Sequence, residues 1–261
     1  MKLPTSSSNM AFKAVGIIPA RWGSTRFPGK PLHLIAGKPL LKRVWDRCLR
    51  AKHLDAVIIA TDDMRIAEAA FVWGAEVSLT SSKHLSGTDR AAEVASNAPD
   101  FSHIINIQGD EPLVDPELVD RLVTTLRGDR KLKMITAAHA FNDAAEATSP
   151  HQVKVVLNGN SDALYFSRSP IPFVREPDKR VKHLRHQGIY GYSRDLLLQF
   201  VRWKSSPLER AESLEQLRAL ENGVRIHVLV TKTGSPGIDT PEDAAVLERM
   251  VARRLQKDRR R

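Results

Sequence analysis

The sequence predicts an α/β fold in which a largely parallel sheet carries helices on its faces. Three observations lead there. Short β-type runs alternate with helical patterns through the first half of the chain. Capping residues fall where one pattern gives way to the next. Two of the apolar runs lead straight into polar, glycine-containing turns, and open parallel sheets bind ligands just beyond the C-terminal ends of their strands.

The elements follow in order. Strands are expected at 14–20, 56–60, 76–80 and 103–108, each followed by a helix, at 39–50, 64–73, 88–96 and 116–127. Gly74 stands just past the second helix, where a left-handed residue ends it, and Asp115-Pro116 supplies a cap and a first helical proline for the fourth. The second half is more mixed, with strands at 133–140, 152–157, 187–192 and 225–230 and helices at 208–222 and 241–254. Residues 165–168 and 186–192 read as strands with polar side chains on one face. Nothing in the way of a repeat or linker divides residues 14–250, so one domain is expected between a disordered leader at 1–13 and a basic tail at 251–261.

Composition narrows the function classes. The chain has 261 residues, 42% of them hydrophobic, enough for a sizeable core. Its longest apolar runs, such as 57–60 and 228–230, fall far short of a membrane span, and the Ser-rich first residues lack the apolar stretch of a secretory signal. A lone cysteine, Cys48, excludes an intrachain disulfide and a Cys-rich zinc site and fits a reducing compartment. The net charge of +10 suits nucleic acid, an anionic membrane or small anions alike. The first of these lacks an RRM aromatic pair, a zinc finger or a KH motif to support it.

Three segments carry chemistry. The first, IIPARWGSTRFPGKPL from Ile17 to Leu32, runs a strand into a loop with two glycines and the cations Arg21, Arg26 and Lys30. Glycines let backbone N–H groups approach phosphate oxygens, and the cations neutralise a triphosphate and a departing pyrophosphate. Five residues separate the glycines and Pro31 follows Lys30, so this is not a P-loop. The second segment, IINIQGDEP, ends a buried-type strand in a turn with Asp110, which is either a natural Mg²⁺ ligand beside phosphate oxygens or part of a plain Gly-Asp turn with Glu111 on the surface. The third, GIDTPED, starts a helix with a Thr240/Asp243 capping box; Asp239 stands outside the cap, as a turn residue or a second metal ligand. Ser86-Gly87-Thr88-Asp89-Arg90 reads either as a further helix cap with Arg90 merely exposed or as a polar cluster of the site.

Together with ALYFSRSPIP, RHQGIYGY and LERAESLEQLRALENG, these segments resemble one family, the 3-deoxy-manno-octulosonate (Kdo) cytidylyltransferases, over about residues 15–247. The first motif is shared with acylneuraminate synthetases, whereas GIYGY and SLEQLR favour the Kdo branch. The resemblance implies a nucleotide-diphospho-sugar transferase-like α/β fold, a Rossmann-like mixed sheet with helices on both faces. It implies a cytoplasmic homodimer that uses CTP, Mg²⁺ and an acidic sugar in lipopolysaccharide biosynthesis, with neither nucleic acid nor membrane as partner; sialic acid or an amino analogue of Kdo is the alternative sugar. By the same resemblance, Ala20, Arg21, Ser24, Arg26, Lys30 and Gln108 hold the nucleotide, and Asp110 and Asp239 bind the metal. Arg90, Gln108, Arg168, His186, Tyr190 and Glu215 then form the sugar pocket, and Arg21, Lys30, Asp110 and Asp239 carry catalysis. Trp22, the leader, the tail and a basic insert at 179–182 depart from the family pattern.

Overall fold

The computed structural model describes residues 11–23, 27–176 and 181–258, with side chains to Val251 and Ala144 excepted. Four βα units open the chain: β1 (Ala14–Ala20), a two-residue hairpin β2 (Leu34–Ile35) and β3 (Lys38–Pro39), α1 (Leu40–Cys48), β4 (Ala56–Thr61), α2 (Met64–Val72), β5 (Glu76–Leu79), α3 (Gly87–Asn97), β6 (His103–Asn106) and α4 (Pro116–Gly128). The mixed half follows: β7 (Met134–Ala140), β8 (Lys154–Leu157), β9 (Ala163–Ser167), β10 (Leu184–Ser193), α5 (Arg194–Phe200), α6 (Pro207–Glu212), α7 (Gln216–Glu221), β11 (Ile226–Thr231) and α8 (Pro241–Asp258).

The main sheet runs β11-β7-β10-β6-β1-β4-β5, with β8 and β9 branching from β10. Strands β6, β1, β4 and β5 are mutually parallel, while β10 runs antiparallel to both β6 and β7. Period-2 alternation sorts each strand between two cores. In β1, Ala14, Ile18 and Ala20 pack with α1, α2 and α4, whereas Val15 and Ile17 pack with α3, α5 and α7.

The expected caps are present. Gly74 adopts φ +81° after α2, and the Asp115 side chain accepts from the N–H of Glu117 ahead of Pro116. Two expectations change. The single helix at 208–222 is two, α6 and α7, because Ser213 takes φ +51° and closes α6 in the left-handed region. Helix α5, capped by Ser193, had no counterpart in the sequence reading, being only seven residues, about two turns, placed directly after a strand. The basic end at 251–258 continues α8. Residues 1–10 of the leader, residues 179 and 180 of the insert at 179–182 and the last three residues lie outside the described residues.

A small third core of Phe27, Ile35, Leu40, Ile238, Ala244 and Leu247 docks α8 against the loop after β1. That docking brings the segment before α8 to the C-terminal edge of the parallel strands.

Candidate active site

Three distant segments meet at that edge. The Lys30 ammonium donates to Asp110 Oδ2 at 2.7 Å and to the Ile238 carbonyl at 2.8 Å, and it lies 3.7 Å from Asp239 Oδ1. The Ile238 N–H in turn donates to the Asp110 carbonyl. One cation therefore bridges two carboxylates that stand about half the chain apart in sequence. Lys30 stays largely buried while Asp239 keeps about half of its side chain in solvent, so the arrangement opens outward.

Local structure explains how each group arrives. Gly109 carries the turn so close to β1 that an added Cβ would stand 2.7 Å from the Pro19 carbonyl oxygen; a side chain there would push Asp110 off the edge. Gly29, at φ +71°, starts the turn that aims Lys30. Its backbone lies against the Trp22 indole, which also meets the Arg65 guanidinium, 3.6 Å from the ring centroid. Asp63 holds that guanidinium through two hydrogen bonds, so the loop after β1 is tied to the start of α2.

A cleft of about 240 Å³ opens beside these groups, walled by Ala20, Arg21, Ser86, Arg90 and Gln108 as well as by Lys30 and the two carboxylates. Arg90 is only 4% exposed, so of its two readings the merely exposed cap residue fails; it pairs with Asp62 at 3.3 Å and donates to Thr80 Oγ1. The Ser86 cap is real and includes Asp89. Gln108 donates to the Gly188 carbonyl and so joins β6 to the bend in β10.

The residues assigned to the sugar pocket divide. Glu215 reaches the cleft wall, accepting from Thr88 Oγ1 at 2.7 Å and Ser86 Oγ at 3.2 Å. Burial raises its pKa, against the pull of Thr88 and Arg218. His186 stacks edge-on with Phe166, lies beside Tyr190 and faces Thr136 Oγ1 at 3.1 Å; burial pushes its pKa down to about 3. The Tyr190 phenol is pushed well above its usual pKa, first by burial. Arg168 is placed differently. Its guanidinium donates to the carbonyls of Glu212, Pro150 and Ser213, and its own carbonyl accepts from the buried Lys154 ammonium, so it staples β9 to the end of α6. Ser24 and Arg26 lie outside the described residues.

Sequence reading missed some groups here. His84 lines the cleft and pairs with Glu93, and Asp62 pairs with Arg90. Asp62 had a signal, since it directly follows β4 at the same sheet edge. Glu111 is the other surprise. Enclosure, with Asp110 beside it and Arg185 opposing, pushes its pKa up to about 8.

Comparison with known proteins fixes the lineage. A cytidylyltransferase family profile matches residues 15–226. A 3-deoxy-manno-octulosonate cytidylyltransferase from Solibacter usitatus is 49% identical over 92% of this chain and 95% of its own length. One from Desulfosudis oleivorans is 47% identical over 92% and 98%. The chain belongs to the 3-deoxy-manno-octulosonate cytidylyltransferase family. Among solved structures, a CMP:2-keto-3-deoxy-manno-octonic acid synthetase complexed with CTP superposes with a TM-score of 0.89 at 43% identity, over 93% of this chain and 99% of the other. The family therefore has the mixed, helix-flanked sheet that the motifs imply.

Proposed function

We infer that this chain transfers the cytidylyl group of CTP to 3-deoxy-manno-octulosonate, giving CMP-Kdo and pyrophosphate. The observation that carries the reading is the meeting of Lys30, Asp110 and Asp239 at one point beside a basic cleft, in a chain of this family. The sugar's anomeric hydroxyl attacks the α-phosphorus of CTP as the bond to the bridging oxygen of pyrophosphate breaks, and the hydroxyl proton is lost. Such a displacement needs alignment and charge neutralisation more than a covalent enzyme intermediate.

Arg21 and Lys30, with Ser24 and Arg26, hold the triphosphate, and the backbone at Ala20 flanks the nucleotide. Gln108 stands between nucleotide and sugar. Glu215, His186 and Tyr190 face the sugar, with Arg90 at the wall they share with the nucleotide, while Arg168 supports the pocket through its carbonyl contacts. The carboxylates fit Mg²⁺: Asp110 and Asp239 already share a cation, the Lys30 ammonium, and hard oxygen donors beside phosphates suit this ion. Bound there, the ion would neutralise phosphate charge and lower the pKa of the attacking hydroxyl. Lys30, released from the carboxylates, would then serve a phosphate oxygen.

The wider setting follows from the same reading. Kdo activation places the enzyme in lipopolysaccharide biosynthesis, and we propose a homodimer in the cytoplasm. Leu164 on the edge strand β9 and Phe173 nearby are 60% and 87% exposed, apolar surface suited to a second copy. Among the described residues no helix is long and apolar enough to cross a membrane.

Pyrophosphate release tests the core of this. With CTP, turnover is expected for Kdo and weaker for sialic acid or other acidic sugars, and UTP, ATP and GTP should serve poorly. Equal use of all four nucleotides, or no release with any acidic sugar, would reject the assignment.

A further inference from the structure

Asn106 ends β6, two residues before Gln108, and is only 1% exposed. Its carboxamide oxygen is buried without a hydrogen-bond partner. Directly opposite on β10 stands Tyr190, 9% exposed, whose phenol oxygen is likewise buried and unpartnered. Alternation puts both side chains on one face of the sheet, with Ile17 and Ile104. Two orphaned polar groups on facing residues are costly in a core, because burial removes water from each and returns no bond.

Their surroundings point outward to the cleft. Glu215 contributes to raising the Tyr190 pKa, which places that carboxylate within electrostatic reach of the phenol. Glu215 is itself held by Ser86 and Thr88, and Ser86 walls the cleft. Gln108, on the same strand line as Asn106, also walls it. A polar seam thus leads from the cleft past Ser86 and Glu215 to the pair on β6 and β10. An acceptor oxygen beside a phenol that stays protonated at neutral pH matches a sugar hydroxyl, which both donates and accepts.

We propose that Asn106 is a sugar-contacting residue, whose carboxamide oxygen accepts a hydrogen bond from a hydroxyl of the acidic sugar while the Tyr190 phenol serves the same part of the ring. This rests on the cytidylyltransferase reading above, and it adds a specificity contact that the motif reading passed over. The polar pair exists for the ligand, so its cost to the free fold is offset when the sugar binds.

The test is steady-state pyrophosphate release by the full chain, with CTP and the acidic sugar varied separately, alongside thermal melts. Asn106→Leu keeps the size of the side chain and removes its polar atoms. It is expected to raise KM for the sugar about tenfold, the scale of one lost hydrogen bond, while KM for CTP stays within about twofold. Its melting temperature should hold or rise, because an unpaired buried group has gone. Tyr190→Phe should act in the same direction, and the double variant should fall short of the product of the singles if both hold one hydroxyl. A lower melting temperature with both KM values unchanged would overturn the proposal, showing that the pair serves an internal water or the fold alone. A parallel rise in both KM values would overturn it too. Should Asn106→Leu fail to fold, Tyr190→Phe together with Asn106→Ser decides by the same split in KM. A wild-type chain that turns over some other acidic sugar would displace Kdo from the functional reading; the same comparison, run with that sugar, then tests Asn106 separately.

Discussion

The two halves of the sheet deliver functional groups to the cleft in different ways. In the parallel half, β6-β1-β4-β5, the charged residues ride on loops just past strand ends: Arg21 and Lys30 after β1, Asp62 after β4, Asp110 after β6. In the mixed half Asp239 also rides on a loop, past β11, but the other groups stand on strand faces or at helix ends, His186 and Tyr190 within β10 and Glu215 at the cap of α7. A loop residue declares itself by position, since every parallel strand ends at the same edge. A face residue is revealed only by register, and β10 bulges between Gln187 and Tyr190, which resets the face between the two.

The largest effect expected falls on the loop-borne carboxylates. Asp110→Asn and Asp239→Asn should each lower kcat about a thousandfold, several kcal/mol of lost transition-state stabilisation. The double variant should lose little more, because groups acting as a unit are non-additive, and melts should stay near wild type. Full activity in Asp239→Asn, or independent multiplicative losses, would break the comparison by showing that position at the sheet edge does not confer function.

A smaller effect should follow from the Trp22 stack. Trp22 packs against Gly29 and the Arg65 guanidinium and so sets where Lys30 starts. Trp22→Ala is expected to raise KM for CTP by about ten- to hundredfold, the penalty of a misplaced positioning element, with KM for the sugar little changed. Trp22→Phe keeps an aromatic face for Arg65 and should recover most of the loss. Equal damage from Ala and Phe, or equal shifts in both KM values, would remove Trp22 from the nucleotide side.

Legibility in the sequence followed this same division. The parallel strands and their helices fell within a few residues of their expected bounds because each βα unit carries its own alternation and cap, as at Gly74 and Asp115. The convergence of Asp110 and Asp239 could be inferred because both follow strands of one sheet. The burial of Arg90 could not, since it depends on Asp62 and Thr80 from neighbouring units. Nor could the commitment of Arg168 to three carbonyls, or the orphaned oxygens of Asn106 and Tyr190, which are properties of strand pairing and not of any local pattern. The break at Ser213 was hidden for a related reason: helical periodicity continues across it, and only a left-handed residue other than glycine marks the end.

Stability sharpens the comparison further at the seam between the halves. Gly191 lies on β10 where an added Cβ would stand 2.7 Å from Ile135 Cγ2, 2.8 Å from Leu126 Cδ1 and 3.1 Å from Ile105 Cδ1. All three neighbours are at most 1% exposed, so none has room to retreat. Gly191→Ala should cost about 1–3 kcal/mol by overpacking, read from denaturant unfolding, with both KM values unchanged. A neutral outcome would mean that the seam between β10, β7 and α4 is looser than its packing indicates.

The effect expected to be smallest at neutral pH, where it vanishes, is a pH dependence that assigns one histidine to each half. His103, at the start of β6 in the parallel half, has its pKa pushed down to about 4, chiefly by burial, and His186 on β10 has its own pushed down to about 3 by burial alone. Both are neutral in the fold below the pH near 6.5 at which an unfolded histidine takes up its proton. Over that interval the unfolded chain binds more protons than the folded one, so stability rises with pH. The contribution is complete above about pH 6.5 and is lost as pH falls, toward about 4 for His103 and about 3 for His186. Each group adds at most about 1.4 kcal/mol per pH unit, and His103 adds less because its ring is partly exposed and screened. Unfolding free energies measured from pH 7 down to 4 should therefore slope less in His186→Gln than in wild type, with a weaker flattening in His103→Gln. Ordinary carboxylate titration remains in all three chains and cancels in the differences. Unequal slopes in the reverse order would mean that the ring on β10 is better solvated than the one on β6, and that the mixed half encloses its functional face less tightly than the Phe166 and Tyr190 contacts of His186 require.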